Sequence, residues 1–200
     1  MNDRSPEYIR PLLVRIDRLM AERERVLVAI DGGSASGKTT LGELLQNVYG
    51  CPVFHMDDFF LRPEQRTPER FSEPGGNVDR ERFLSEVLLP LREGKAVDYR
   101  RFDCKTFTIA SPRRIEPGRL NIIEGAYAMH PDLAPYYDLT VFLVVSAEKQ
   151  RERILKRNAP AQAELFFNRW IPFEQRYFAA LNVPERCDLT IFLDDQTSVP

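Results

Sequence analysis

The stretch Gly32-Gly33-Ser34-Ala35-Ser36-Gly37-Lys38-Thr39-Thr40 fits, from Gly32 to Thr39, the phosphate-binding pattern G-x-x-x-x-G-K-S/T. Its residue types answer a physical need. Glycines let the backbone turn without a Cβ, so that successive N–H groups point inward at phosphate oxygens. Lys38 brings a mobile positive charge for the β- and γ-phosphates, and the Thr39 hydroxyl can ligate the Mg²⁺ that travels with a nucleotide. The flanks supply the required context. Val26-Leu27-Val28-Ala29-Ile30 is an apolar run suited to a strand buried on both faces. Leu41, Leu44, Leu45 and Val48 recur at helical spacing and place a helix N-terminus at the phosphates. Gly32 through Thr40 is therefore expected to hold the nucleotide.

Outward from this unit, Gly50 closes a turn and Pro52-Val53-Phe54-His55-Met56 reads as a second short strand. It delivers Asp57-Asp58-Phe59-Phe60 to the carboxyl edge, where open α/β sheets bind ligands. Phosphoryl transfer to a hydroxyl needs a carboxylate there, to orient the O–H group and accept its proton. Neighbouring strand residues face opposite ways, so one of the two acids is expected to serve; the alternative is a pair of turn residues. Leu120-Asn121-Ile122-Ile123-Glu124-Gly125 is another central strand, and Glu124 lands on the same edge, where it can hold magnesium through a water. Asp138 to Val145 and Asp188 to Leu193 complete five strands.

The remaining segments read as additions to this sheet. Residues 61–78 carry Pro63, Pro68, Pro74, Gly75 and Gly76, the composition of a lid or binding loop. Asp79 opens a helix with Phe83, Val87, Leu88 and Leu91, either as its cap or as a substrate contact. Val97 to Asp103 is expected to pair with Thr106 to Ile109 as a hairpin, with Tyr99 and Arg101 either lining a substrate pocket or simply exposed. Ser146 caps a helix on which Arg153 and Arg157 share one face, placed to meet a transferring phosphoryl group. Phe166, Trp170, Phe173 and Tyr177 follow helical spacing as a core stripe, with Pro172 kinking or restarting the helix. At the N-terminus Ser5-Pro6 reads as a helix start. Ile9, Leu12, Leu13, Ile16, Leu19 and Met20 then form one apolar face to about Arg25. That face is expected to pack on the sheet, or else against a second copy of the chain.

The 200 residues suit one domain, 26–200, with the helix of residues 1–25 packed on it. A net charge of −2 gives no electrostatic footprint for duplex nucleic acid or an anionic membrane. The longest apolar run, Val141 to Val145, is too short to span a bilayer, and the start of the chain does not read as a signal peptide. Cys51, Cys104 and Cys187 match neither a disulfide framework nor a zinc spacing. They point to a cytoplasmic setting and read as buried small apolar residues. No Asn-Lys-x-Asp guanine-reading segment is present, which speaks against a guanine nucleotide switch.

Taken together, these motifs resemble the uridine kinase family, which sits among phosphate-loop kinases with phosphoribulokinase and bacterial pantothenate kinase. The likeness runs from about Val26 to Asp194; Asp57-Asp58-Phe59-Phe60 and Trp170-Ile171-Pro172 to Arg176-Tyr177 are equally similar to nicotinamide riboside kinases. The resemblance implies a P-loop α/β fold, a five-stranded parallel sheet flanked by helices with a β-hairpin insertion and a helical lid. It implies ATP and Mg²⁺ as cofactors, a nucleoside-like small-molecule acceptor, Asp57 as catalytic base, Asp79 on ribose hydroxyls, and Arg153 and Arg157 in the lid. One departure stands out. Uridine kinases follow a Tyr-Asp-Phe segment with a histidine and an arginine that read the pyrimidine, whereas Tyr99-Arg100-Arg101-Phe102-Asp103-Cys104-Lys105 contains no histidine.

Overall fold

The computed structural model describes residues 6–193. Five parallel strands form the central sheet: β1 (Val26–Gly32), β2 (Val53–His55), β7 (Leu120–Glu124), β8 (Leu139–Val144) and β9 (Leu189–Phe192). Their spatial order is β2-β7-β1-β8-β9. β1 lies at the centre with all seven residues buried, which is why it reads as an unbroken apolar run. Its alternate side chains feed two cores. Leu27 and Ala29 join Phe54, Ile123 and Phe142 on one face; Val26, Val28 and Ile30 join Ile122 and Val141 on the other.

Helix α1 (Arg10–Glu22) and helix α2 (Lys38–Tyr49) cover the second face, with Leu12, Leu13 and Ile16 of the first, Ile9 of the turn before it, and Leu41 and Leu45 of the second in its core. The apolar face of α1 is thus used against the sheet. The expected Ser5 cap lies outside the described residues. The first face is covered by a helical run of α4 (Arg80–Phe83), a π turn (Leu84–Leu88) and α5 (Leu89–Glu93), which contributes Phe83, Val87, Leu88 and Leu91. The 61–78 segment is more ordered than a loop. It holds a 3-10 turn at Pro63–Gln65 and the short α3 (Pro68–Ser72), and a bridge joins Phe60 to Val78.

The hairpin differs in register from its expected form. β3 (Val97–Tyr99) pairs with β6 (Arg113–Ile115), and only β4 (Phe102–Asp103) pairs with β5 (Thr108–Ile109). The excursion is therefore longer than a pairing of residues 97–103 with 106–109. Val97 and Tyr99 are buried in the core, but β6, which pairs with them, carries two exposed arginines and one apolar residue, too little to fix the register from sequence.

After β8, Ser146 accepts a hydrogen bond from Lys149 N and caps α6 (Ala147–Arg157), as expected. The chain then stays helical through α7 (Pro160–Leu165), a π turn (Phe166–Trp170) and α8 (Ile171–Leu181), and α9 (Val183–Arg186) leads into β9. Pro172 stands directly after the π turn, in a helical run that continues across it; the widened turn is where the chain accommodates its missing N–H, so the helix neither stops nor restarts there. Of the aromatic stripe only Tyr177 is core; Phe166, Trp170 and Phe173 are half-buried, stacked near Arg157, Arg169 and Arg176. The cysteines also divide. Cys51 is buried, Cys187 is half-buried and Cys104 is exposed at the tip of the hairpin. No helix among the described residues is long and apolar enough to cross a membrane.

Candidate active site

Two glycines set the geometry of the carboxyl edge. Gly32 ends β1 at φ 150°, and a Cβ there would lie 2.6 Å from the Leu143 carbonyl oxygen. Gly125 follows Glu124 at φ 142°, and a Cβ there would lie 2.6 Å from the Met56 Cβ. The end of β7 can therefore press against the 3-10 turn Met56–Asp58 that follows β2, bringing Glu124 beside the acid pair.

The phosphate-binding loop occupies the floor of a cavity of about 440 Å³. Ser34, Ala35, Gly37, Lys38, Thr39 and Thr40 line it, together with Asp57, Glu124, Arg153, Arg157 and Glu174. Gly32 and Gly33 lie beneath, where their carbonyls each accept a hydrogen bond from Lys38 Nζ at 2.9 Å. Ser36 is buried within the loop, its hydroxyl without a hydrogen bond among the described residues. Tyr8, from the turn before α1, and Phe166 add aromatic wall.

A second cavity, of about 530 Å³, opens on the hairpin side. It is lined by His55, Asp58, Tyr99, Arg101, Ser111 and Arg113, and shares Thr39, Asp57 and Glu124 with the first. Those three residues are the junction of the two spaces. Thr39 Oγ1 donates to Glu124 Oε1 at 3.1 Å, and His55 Nδ1 lies 2.6 Å from the same oxygen. That contact raises the His55 pKa, against the opposing effect of burial.

The two adjacent acids have separate fates. Asp58 is buried and engaged: Tyr99 Oη donates to its Oδ2 at 2.7 Å and Arg101 Nε to its Oδ1 at 2.8 Å. Asp57 makes no hydrogen bond or ion pair among the described residues and faces both cavities. Desolvation by the surrounding protein raises its pKa; Lys38 opposes the shift, and Glu124 and Asp58 add to it. The side chain keeps accessible surface toward the cavities, so this is a carboxylate crowded by protein and not a sealed one.

Asp79 lines neither cavity. It is buried, accepts from Arg82 N at 3.1 Å as the cap of α4, and sits 3.5 Å from Arg62 and 3.7 Å from Arg82. Of its two expected roles, the structure displays the cap. Tyr99, expected either in a pocket or exposed, is buried on the cavity wall, where its hydroxyl also accepts from His55 N at 3.0 Å. Arg153 and Arg157 both reach the nucleotide-side cavity, and Arg153 Nη1 donates to the Ala35 carbonyl at 3.1 Å.

Several participants had no motif to announce them. Glu174 of α8 accepts from Ser34 N at 2.8 Å and Ser34 Oγ at 2.5 Å, and burial raises its pKa. Gln150 of α6 donates to the Ser34 carbonyl at 2.8 Å. Ser34 is thus gripped on three atoms by two helices. Asp31, fully buried in β1, accepts from Gly32 N, Met129 N and Tyr177 Oη at 2.7, 2.9 and 2.8 Å. Its burial pushes the pKa up to about 6. One readable trace existed for Asp31, an acid closing an otherwise apolar strand. For Glu174 the trace was its i, i+3 spacing with the core residue Tyr177.

Known proteins resemble this chain in sequence and in fold. The family model described as Phosphoribulokinase / Uridine kinase family matches residues 27–161. The chain is 29% identical over 146 residues to Uridine kinase-like protein 4 of Arabidopsis thaliana, covering 68% of this chain and 31% of that one. It is 30% identical over 141 residues to a uridine kinase of Staphylococcus haemolyticus, covering 66% of each. It therefore spans about a third of the first relative's length and just under two thirds of the second's. Among solved structures, one titled a possible uridine kinase from Bacillus stearothermophilus superposes with a TM-score of 0.64 at 23% identity, over 90% of this chain and 99% of that one. A phosphate-binding loop matched in sequence, set in the five-stranded parallel sheet that such kinases share, leads to one conclusion: the chain belongs to the phosphoribulokinase / uridine kinase family.

Proposed function

We propose that this chain transfers the γ-phosphoryl group of ATP to a hydroxyl of a small, nucleoside-like metabolite. The observation that carries the reading is the junction: Thr39, Asp57 and Glu124 line both cavities, so a nucleotide held over the loop and an acceptor held beneath the hairpin would meet at Asp57. The Thr39 hydroxyl and Glu124 carboxylate, 3.1 Å apart, are a pair of hard oxygen donors of the kind Mg²⁺ prefers, so the residues present fit that ion. Bound there, Mg²⁺ would offset charge on the nucleotide's phosphate oxygens.

The protein's own groups have distinct tasks in this reading. Loop amides and Lys38 hold the phosphates, Lys38 exchanging its carbonyl partners for phosphate oxygens. Asp57, free of other hydrogen bonds among the described residues, orients the acceptor hydroxyl for in-line attack and takes its proton. Arg153 and Arg157 stand on the nucleotide side to stabilise charge on the transferring group. His55 holds Glu124 in place, and Tyr99 with Arg101 keeps Asp58 out of competition with Asp57. We place this chemistry in the cytoplasm, acting on small molecules and not on nucleic acid or membranes, from the charge and cysteine pattern.

The names of the relatives support a nucleoside as acceptor. A second class, such as pantothenate or a sugar phosphate, is favoured by one observation, the arginines on the acceptor-side wall. The test is acceptor-dependent ADP release with Mg-ATP across uridine, cytidine, nicotinamide riboside, pantothenate and sugar phosphates. Turnover of at least one acceptor supports the reading. ATP binding with no acceptor-dependent ADP release would instead indicate a nucleotide-binding switch.

A further inference from the structure

Four arginines on the hairpin stand near the acceptor-side cavity, and three of them have carboxylate partners. Arg100 pairs with Glu86 at 2.5 Å, Arg101 with Asp58 at 2.8 Å and Arg114 with Glu116 at 3.0 Å. Arg113 makes no hydrogen bond or ion pair among the described residues, and it lines the cavity.

Strand pairing settles which way Arg113 faces. It is the direct partner of Tyr99 across the antiparallel β3–β6 pair, and residues so placed project on the same side. The Tyr99 hydroxyl meets Asp58 and His55, so that side is the cavity. Arg114, the next residue, projects to the other side.

Charge accounting within the cavity leaves two groups over. Glu124 is matched by His55 and Asp58 by Arg101. Asp57 and Arg113 are in no ion pair among the described residues. The acceptor hydroxyl accounts for Asp57. Arg113 is exposed at the cavity wall, and a neutral acceptor offers its guanidinium no counter-charge. A planar guanidinium with all its donors unused is suited to a carboxylate or a phosphate.

We infer that the acceptor carries an anionic group, a carboxylate or a phosphate, which Arg113 binds at the hairpin wall while Asp57 engages the reacting hydroxyl. The inference rests on the assignment of this cavity to the acceptor. It favours, among the acceptors considered for this cavity, a hydroxylated compound with a negative charge over a neutral nucleoside.

Three matched pairs test it, each differing chiefly in one anionic group: pantothenate with pantothenol, ribose 5-phosphate with ribose, and orotidine with uridine. The full-length protein is assayed for ADP release with Mg-ATP, alongside Arg113→Met and Arg113→Lys, each first checked for native circular dichroism. The expected result is a preference in kcat/KM for the anionic member of at least one pair, of roughly tenfold to a hundredfold. Arg113→Met should bring that ratio close to one, and Arg113→Lys should restore part of it. The pair that shows the preference identifies carboxylate or phosphate as the group read.

A ratio near one in the native protein, or one that Arg113→Met leaves intact, would overturn the inference. Calorimetric titration of the same pairs into Asp57→Asn protein loaded with a non-hydrolysable ATP analogue separates binding from transfer. Anion-selective, Arg113-dependent binding without ADP release in native protein would sustain the inference and contradict the proposed transfer. Turnover of neutral and anionic acceptors alike would do the reverse, and binding of none of them would remove the support for Arg113.

Discussion

Asp57 and Asp58 are chemically identical neighbours, and what separates them is the company each keeps. Asp58 spends its oxygens on Tyr99 and Arg101, while Asp57 faces both cavities with a raised pKa. A base of this kind acts only when ionised, so activity should fall as pH drops through its pKa. The acid limb of kcat/KM is expected above the ordinary aspartate value of about 4. A limb at or below that value in a pH–rate profile would show that Asp57 is not the titrating base. Tyr99 makes a second case at this scale. Its hydroxyl accepts from the His55 backbone N–H and donates to Asp58, so Tyr99→Phe leaves polar groups unpaired. A loss of about 1–3 kcal/mol is expected, read as a lower midpoint in denaturant unfolding. An unchanged midpoint would mean that water replaces the hydroxyl at no cost.

At the level of elements, the site is two strand ends and a turn pressed together, and Gly125 is what permits the contact. Gly125→Ala places a Cβ 2.6 Å from that of Met56, at a φ of 142° that side chains rarely adopt. Strain of this kind costs about 1–3 kcal/mol, and relief by movement would shift Asp57 relative to Glu124. The expected outcome is a lower melting temperature together with reduced kcat; native stability with native turnover would show that the turn has slack. The elements that carry this contact were legible in the sequence because their signals are local. An apolar run, a glycine-rich loop and an acid at a strand's carboxyl end each lie within about ten residues of chain. The hairpin register was not legible, since Val97–Tyr99 pairs with Arg113–Ile115 across an excursion that holds a second strand pair, and Arg113–Ile115 has a single apolar residue to align it. Glu174 was hidden for a related reason: it meets Ser34 from 140 positions away, and nothing near either residue announces the other.

Across the whole molecule, one buried carboxylate ties three parts of the fold. Asp31 in β1 holds the start of the phosphate-binding loop through Gly32 N, the segment after β7 through Met129 N, and α8 through Tyr177 Oη. Its composition could be read in advance, but its partners could not, because they come together only in the folded chain. Burial raises its pKa from 3.8 to about 6, so the folded state binds this proton more tightly than the unfolded chain does. The linked stability is fully present below about pH 4 and is lost as pH rises through about 6, a change of roughly 3 kcal/mol. Asp31→Asn should remove that component. The native-minus-variant difference in unfolding free energy is expected to fall between pH 4 and pH 7, and a flat difference would contradict the assignment. The central claim concerns the junction of the two cavities, and Asp57→Asn addresses it most directly. Its turnover should be measured with an acceptor that the native protein phosphorylates, at matched ATP binding and with an intact fold. A fall of roughly 10²–10⁴-fold in kcat with ATP affinity preserved is the expected result; near-native turnover in that variant would contradict the claim.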